Sequence, residues 1–338
     1  MEQNFKKLSF LQQNKLTIEE LCEYKRNLRL YQLINNEEIK GIKFREYTHP
    51  IINFLIKARR ILNFQTLTIY DKKNKQKMIK EQKRPIIFAV THTGKYDIEI
   101  VNEAIKKSYY LLSDDEEYMY RTIDGFITDW NGVVYVDSDY DKVTPENPIP
   151  DTQVALETSI KTIKAGANEM WYPESIWNLS PNLLVLNCKY GIINAAIEAN
   201  AVILPIALDQ RGEKDKDFYV NIGEFIYPED LKAKYANDKN GKIEAINDLR
   251  DVLATLKWEI WESFPVESRS KIPPNYYEEF LAKKIAEWPY FTIDAIRKRE
   301  YCPPNIVTEE EVFKHLDYIE YNINNAFLMK AKTKQYKK

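Results

Sequence analysis

The chain has little of what several large classes of protein require. Its three cysteines, Cys22, Cys188 and Cys302, are scattered and show no C-x-x-C spacing, which argues against a disulfide framework and a zinc knuckle. Its nine glycines form neither a G-x-x-x-x-G-K-S/T nor a G-x-G-x-x-G loop for nucleotide phosphates. No G-x-S-x-G elbow marks a hydrolase serine. The unpaired thiols favour a reducing, cytoplasmic setting.

A metal-binding pattern is missing as well. Asp137, Asp139 and Asp141 alternate like the start of a calcium loop, but the glycine and the terminal glutamate of an EF-hand loop do not follow. The acidic cluster SDDEEY at residues 113–118 is typical of a solvated loop. The sequence therefore predicts no metal site.

Strong charge of one sign and long apolar runs are also absent. The formal net charge is -2, and no block of Lys and Arg alternates with aromatic residues, so we expect no nucleic-acid partner. The amino terminus has no apolar core of the signal-peptide kind. No window approaches the ~20 apolar residues of a membrane-spanning helix, and we therefore expect the chain not to cross a membrane.

One stretch keeps a peripheral membrane contact open. Residues 49–64, HPIINFLIKARRILNF, combine many apolar side chains with Lys57, Arg59 and Arg60. Such a segment can be an interfacial helix lying on the inner face of the membrane. The alternative, which the pattern favours, is a helix packed on the domain core with its charges in water.

The remaining pattern predicts an α/β protein. In residues 81–230 the apolar runs PIIFAV, GVVYVD, EMWYP, AVILPIAL and FYVNIGEFI alternate with the helix-like stretches DTQVALETSIKTIKAG and NLLVLNCKYGIINAAIEAN. We expect a mixed, mostly parallel central sheet flanked by helices. Residues 1–80 form a helical N-terminal region, and residues 231–338 a helical C-terminal region that includes KIEAINDLRDVLATLKWEIWESF, YYEEFLAKKIAEW and TEEEVFKHLDYIEYNINNAF.

His92 is the first candidate for chemistry. It follows PIIFAV and stands five residues before Asp97 in THTGKYDIEI. Ligand sites in open α/β sheets lie at the carboxyl ends of strands. An imidazole held by a carboxylate at that edge is suited to act as a general base for a hydroxyl group. A half-buried structural histidine bonded to a nearby Asp explains this pair alone equally well.

Four further motifs follow in order. After HTGKYD at 92–97 come GVVYVDS at 132–138, YPESIWN at 172–178, KYG at 189–191 and AVILPIAL at 201–208. Together they resemble the lysophospholipid/acylglycerol-phosphate acyltransferase superfamily. That superfamily carries H-x4-D, G-x-x-F-I/V-x-R, F-P-E-G-T/S-R-S/N, K-x-G and an apolar run ending at a proline. The resemblance covers residues 84–227.

The resemblance implies a role for each matched residue. His92 would be the general base for an acceptor hydroxyl that attacks an acyl thioester, and Asp97 would orient His92 and stabilise its imidazolium. No cofactor is implied, because acyl-CoA or acyl carrier protein (acyl-ACP) serves as a co-substrate. Oxyanion stabilisation would come from groups near residues 174 and 175. The implied substrate-binding positions are Gly132, Ser138, Glu174, Ser175, Trp177, Asn178 and Lys189.

The departures from the pattern concern the phosphate. The two arginines of the superfamily motifs, which suit bidentate capture of phosphate, are replaced by Ser138 and Trp177, and the glycine of the third motif by Ser175. Only Lys189 keeps a cation. We therefore expect an acceptor that is less anionic than a lysophosphatidate: a sugar, a glycolipid or another small alcohol or amine. The aromatic faces of Trp171, Tyr172 and Trp177, with Asn178, suit a sugar ring or a headgroup; the alternative, which is more common for a Trp after a buried strand, is core packing.

Two other functions fit the same motifs. The first is a lysophospholipid or glycerol-phosphate acyltransferase of phospholipid synthesis that binds phosphate through Lys189 and other basic residues, with Arg84 and Arg121 as candidates. The second is a non-catalytic homologue that binds a lipid or a protein partner. The persistence of His92, Asp97, Glu174 and Pro205 favours an enzyme over this last function.

Overall fold

A computed structural model describes residues 5–113, 119–137, 148–179, 184–211 and 216–263, with the isolated residues 143, 282 and 286. Ser138, Asp139 and Asp141, most of the acidic cluster at 113–118 and the helices predicted after residue 264 lie outside the described residues.

The described chain alternates helices and strands. Its helices are α1 (Phe10–Gln13), α2 (Ile18–Ile34), α3 (Ile42–Leu62), α4 (Lys72–Glu81), α5 (Asp97–Ile105), α6 (Ile123–Asn131), α7 (Asp151–Lys164), α8 (Gly191–Ala199), α9 (Pro228–Lys234) and α10 (Lys239–Glu262). Its strands are β1 (Thr66–Ile69), β2 (Ile86–Val90), β3 (Tyr110–Ser113), β4 (Val133–Tyr135), β5 (Glu169–Trp171), β6 (Val202–Arg211) and β7 (Asp217–Ile222).

The strands form one mixed sheet. Their order is β1-β7-β6-β2-β5-β3-β4. The five strands β2 to β6 are mutually parallel, and β7 runs antiparallel to β6 with β1 parallel to it. This confirms the predicted mixed, mostly parallel sheet flanked by helices. Because β1 belongs to this sheet, the N-terminal region contributes a strand as well as helices.

The core lies on both faces of the sheet. Ile86, Phe88 and Val90 of β2 pack with α4 and α5, whereas Ile87 and Ala89 pack with the opposite layer formed by α7, α8 and α10. Alternate side chains of a strand point to opposite faces, and every residue of β2 is buried. β2 is therefore a central strand between two helical layers.

Four elements differ from the sequence prediction. Strand β1 was not predicted because it is a half-exposed edge strand with two threonines, and β3 was not predicted because only the first two of its four residues are buried. The helix expected over 182–200 is shorter, with α8 beginning only at Gly191. α3 begins at Ile42 and runs through Pro50 instead of starting near it. Among the described helices, none has the length and apolar character needed to span a bilayer.

Candidate active site

The site forms where two neighbouring strands end. His92 lies just after β2, and Tyr172 directly follows β5. These strands are paired in parallel, with Ala89 opposite Trp171, so their carboxyl ends meet at one edge of the sheet. This is the edge at which open α/β sheets form ligand sites.

His92 and Asp97 are in direct contact. His92 Nδ1 lies 2.8 Å from Asp97 Oδ2. The carboxylate can only accept, so in the neutral imidazole Nδ1 carries the proton and Nε2 the lone pair. Among the described residues Nε2 has no hydrogen-bond partner, and the His92 side chain is 17% exposed. One ring nitrogen is thus held by a carboxylate while the other is open to a ligand.

Asp97 is itself rigidly placed. It is the first residue of α5, where the helix dipole favours a negative charge, and it is 1% exposed. Besides His92 it accepts hydrogen bonds from the Gly94 N–H at 2.9 Å, the Thr93 N–H and the Thr93 Oγ1–H at 2.6 Å. These donors satisfy the buried carboxylate and fix its direction toward the imidazole.

The segment after β5 surrounds His92. The Tyr172 ring stacks on the imidazole with centroids 3.9 Å apart and an interplanar angle of 15°, and the Trp177 ring meets it edge-on at 6.1 Å. The Asn178 N–H donates to the His92 carbonyl at 2.7 Å. The His92 N–H donates to Glu174 Oε1 at 2.9 Å.

Glu174 lies beneath the site. It is fully buried, and its second oxygen, Oε2, accepts the Leu186 N–H at 2.7 Å. Burial raises the pKa of the Glu174 carboxyl group. The positive charge of Lys257 on α10 and the two hydrogen bonds that Glu174 accepts from main-chain amides oppose that shift. Both carboxylate oxygens therefore bond main-chain amides of the protein.

Ser175 adopts a backbone conformation that is unusual for serine. Its φ is +61°, in the left-handed region that glycine adopts most easily. Its N–H donates to the Tyr172 carbonyl at 2.9 Å, and its side chain is exposed. A serine in this region carries local backbone strain.

Two other predicted positions lie in different settings. Gly132 joins α6 to β4 with φ +112°, and a Cβ there would approach the Tyr110 ring to 2.8 Å. β4 is three strands from β2, about 14 Å at the usual strand spacing, so the structure does not bring Gly132 to His92. Lys189 is exposed in the turn before α8, and its N–H donates to the Pro173 carbonyl at 2.8 Å.

The two candidate arginines lie away from His92. Arg84 precedes β2, at the opposite end of that strand, and pairs with Glu229. It borders a cleft of about 610 Å³ whose lining does not include His92. Arg121 bonds main-chain carbonyls next to α1. In the described part of the chain, no cluster of three or more His, Cys, Asp and Glu side chains could hold a metal.

The aromatic residues have separate roles that the sequence does not distinguish. Trp171, expected to offer a face to a sugar, is buried in the core and donates its Nε1–H to Glu169 Oε2 at 2.7 Å. Tyr172 points to the other face of the sheet and stacks on His92. Strict alternation along β5 is the signal that could have separated the two rings.

Comparison with known proteins gives one kind of likeness. No family model matches the chain, and no curated protein is similar to it at a significant level. Among solved structures, the chain is similar to the crystal structure of the 1-acyl-sn-glycerophosphate (LPA) acyltransferase PlsC from Thermotoga maritima, with 14% identity and a TM-score of 0.49. The matched region covers 72% of this chain and 90% of that one.

Proposed function

We propose that the protein is an acyltransferase that moves a fatty acyl group from a thioester, acyl-CoA or acyl-ACP, to an acceptor hydroxyl. The observation that carries this proposal is the His92–Asp97 contact of 2.8 Å at the carboxyl edge of the sheet, with Nε2 open. Such a pair is equipped to remove a proton from an alcohol.

The residues support a direct transfer. His92 Nε2 takes the acceptor proton while the acceptor oxygen attacks the thioester carbonyl. The carbon–sulfur bond then breaks, and the leaving thiolate receives that proton from the imidazolium. The Asp97 carboxylate stabilises the imidazolium between these two steps. A thioester is reactive enough that no covalent enzyme intermediate is needed.

The surroundings of the base favour an acceptor without a phosphate at the reacting end. Tyr172 stacks on one face of the imidazole, and the Trp177 ring lies at 79° to it with centroids 6.1 Å apart; Trp177 stands where the superfamily motif has an arginine. The exposed polar residues on the neighbouring turns include Lys95, Ser175, Asn187 and Lys189. We assign the acceptor to the sugars, glycolipids or small alcohols, with Trp177 as its aromatic contact.

Thiol release from long-chain acyl-CoA and acyl-ACP tests both the role of His92 as the base and the class of the acceptor. The acceptor panel contains sugars, glycolipids, glycerol 3-phosphate and lysophosphatidate. His92→Gln should abolish acceptor-dependent release, whereas His49→Gln, which alters a buried histidine bonded to Asn131, should retain it. Equal activity in His92→Gln would refute the base. No release with any acceptor would favour the non-catalytic alternative.

The acceptor class has its own outcome. Trp177→Arg should increase the use of lysophosphatidate relative to the wild type, because a guanidinium is restored beside the base. Preference of the wild type for lysophosphatidate would overturn the acceptor assignment and favour the phospholipid-synthesis alternative.

A peripheral membrane contact belongs to the same proposal, and the orientation of α3 supports it. The inward side of α3 is mixed. It buries Ile52 and Ile56, and it makes polar contacts: His49 contacts Asn131, Asn53 accepts from Asn102 at 3.4 Å, and Arg60 pairs with Glu103 at 2.7 Å. Its outward side is apolar, and within the described residues nothing covers it. That side exposes Phe44, Tyr47, Ile51, Phe54, Leu55, Ile61 and Leu62, followed by Phe64.

Charge identifies the kind of surface that α3 would meet. At 100° per residue, the exposed Lys43 and Lys57 follow one border of the apolar strip together with the exposed Glu46, and Arg59, which pairs with Glu99 at 3.0 Å, follows the other. An apolar face bordered by lysines fits the interface of an anionic bilayer. A lipid acceptor or an acyl chain could then reach the site from the membrane.

Vesicle sedimentation tests this contact. The double variant Phe54→Ser/Leu62→Ser should bind phosphatidylglycerol-containing vesicles at least about 100-fold more weakly, since each buried side chain contributes about 1.5–3 kcal/mol. Ile243→Ser/Val252→Ser removes two exposed aliphatic groups from α10 and should bind like the wild type. Equal binding by both variants, or self-association through α3 without vesicle binding, would contradict the proposal.

A further inference from the structure

One short segment makes four different contacts with a single residue. Residues 172–178 supply a ring stacked on the His92 imidazole, an indole edge, an acceptor for its N–H and a donor for its carbonyl. Hydrogen bonds to both main-chain groups of His92 set the position of its backbone. The stacked ring of Tyr172 and the Nδ1 bond to Asp97 set the orientation of its side chain.

Glu174 is the buried carboxylate of this segment. It is fully buried, and its oxygens accept the His92 N–H and the Leu186 N–H. Because no surface of its side chain is exposed, an acceptor molecule cannot contact it without a rearrangement of the segment. The contacts of Glu174 therefore serve the protein rather than a substrate.

The segment 172–178 is itself held by hydrogen bonds to residues 184–186 and, through them, to α10. The Asn178 Nδ2–H donates to the Leu184 carbonyl at 3.1 Å, and Arg250 of α10 donates through Nε and Nη2 to the Val185 carbonyl at 3.2 and 3.1 Å. Leu186, the residue bonded to Glu174, follows directly. A chain of hydrogen bonds thus runs from the helix α10 through residues 184–186 and Glu174 to the main chain of His92.

We infer that Glu174 and Tyr172 are positioning residues that hold the base His92, and that the motif residue Glu174 does not bind the acceptor. Glu174 bridges β2 to the 184–186 segment and fixes the His92 backbone. Tyr172 fixes the ring plane. The acceptor is left with the exposed residues of the segment. The kinetic consequence of this assignment rests on the acyltransferase proposal.

Glu174→Gln is the sharpest perturbation, because it keeps the size of the side chain but presents an NH2 group to one of two N–H donors. We expect kcat to fall about 100-fold, as a base displaced by roughly 1 Å would predict, with the acceptor KM changed less than two-fold. Glu103→Gln, which alters a buried glutamate of α5 paired with Arg60, should leave both constants near wild type. A raised acceptor KM with unchanged kcat in Glu174→Gln would overturn the assignment.

A second pair of variants tests the inference independently, in case Glu174→Gln fails to fold. Tyr172→Leu removes the stacked ring and should lower kcat at least ten-fold, whereas Tyr172→Phe keeps a ring and should lose much less. Equal losses in the two variants would contradict a role in holding the ring plane.

Nuclear magnetic resonance separates this inference from the catalytic proposal. The chain has three histidines, so their ring signals can be assigned by single substitutions. Glu174→Gln should shift the ring and amide signals of His92 and speed exchange of its amide proton about ten-fold or more, with His49 unchanged. This result supports positioning even if no acyl transfer is found, and an unchanged His92 amide refutes it.

Discussion

Asp97→Asn isolates the charge of the Asp97 carboxylate from its geometry. The amide oxygen can still accept from His92 Nδ1 and from the Thr93 and Gly94 amides, while the NH2 group can turn toward Thr93 Oγ1, which is able to accept. The ring of His92 therefore keeps its orientation. What disappears is the negative charge that stabilises the imidazolium.

The loss can be sized from the contact. Two unit charges about 4 Å apart attract by about 4 kcal/mol at an effective dielectric constant of about 20, which corresponds to roughly a thousand-fold in rate. We expect kcat for thiol release to fall about 1,000-fold in Asp97→Asn, with the donor KM nearly unchanged.

A matched control is available for the same chemical change. Asp151, the first residue of α7, is 2% exposed and accepts the Asp137 N–H at 2.7 Å. Asp151→Asn should cost stability without lowering kcat by more than about two-fold. A kcat within ten-fold of wild type in Asp97→Asn would refute charge stabilisation by this carboxylate.

Three predictions concern stability. Ser175→Gly should raise the melting temperature by about 2 °C in calorimetry, because the left-handed φ costs a serine about 1 kcal/mol; a lower melting temperature would contradict the strain. Gly132→Ala should lower the unfolding free energy by about 2–3 kcal/mol in urea, since its Cβ would meet Tyr110 at positive φ; no change would be inconsistent with that contact. Burial raises the Glu169 pKa from 4.5 to about 7, so the folded state holds the extra proton between those values and stability falls as the pH rises through them. Glu169→Gln should therefore stabilise the protein more at pH 8 than at pH 5, by up to about 3 kcal/mol in urea, and an equal effect at both pH values would contradict the shift.

Local pattern was enough to predict the architecture around β2. The buried run before His92 and the alternation of strands with helices depend on residues close in sequence. Strands β1 and β3 could not be predicted in this way, because no residue of β1 is buried and only two residues of β3 are buried, which leaves no clear apolar pattern.

The environment of His92 depends on contacts that no local pattern contains. Tyr172 meets His92 because β5 is inserted beside β2, and Glu174 reaches the His92 amide through the same pairing. Strand order is set by the packing of the whole sheet. The sequence therefore indicated that His92, Tyr172 and Glu174 belong to the site, but it did not predict that Tyr172 and Glu174 contact His92.

The orientation of α3 was also beyond the sequence. Its pattern contains both an apolar and a polar side, and periodicity alone implied that the apolar side faces the core. Ile52 and Ile56 do face inward, but the bonds of His49, Asn53 and Arg60 to α5 and α6 turn most of the large apolar side chains of α3 outward. Partners that lie far away in sequence decided the orientation.

The central claim is that His92 activates an acceptor hydroxyl for acyl transfer, and lipid mass spectrometry tests it most directly. Extracts of lipids and small metabolites are compared between cells expressing the wild-type protein and cells expressing His92→Ala at equal levels. We predict a species that gains a fatty acyl group only with the intact protein, and its mass would identify both the acyl chain and the acceptor. The same acylated species at equal abundance with His92→Ala would contradict the claim.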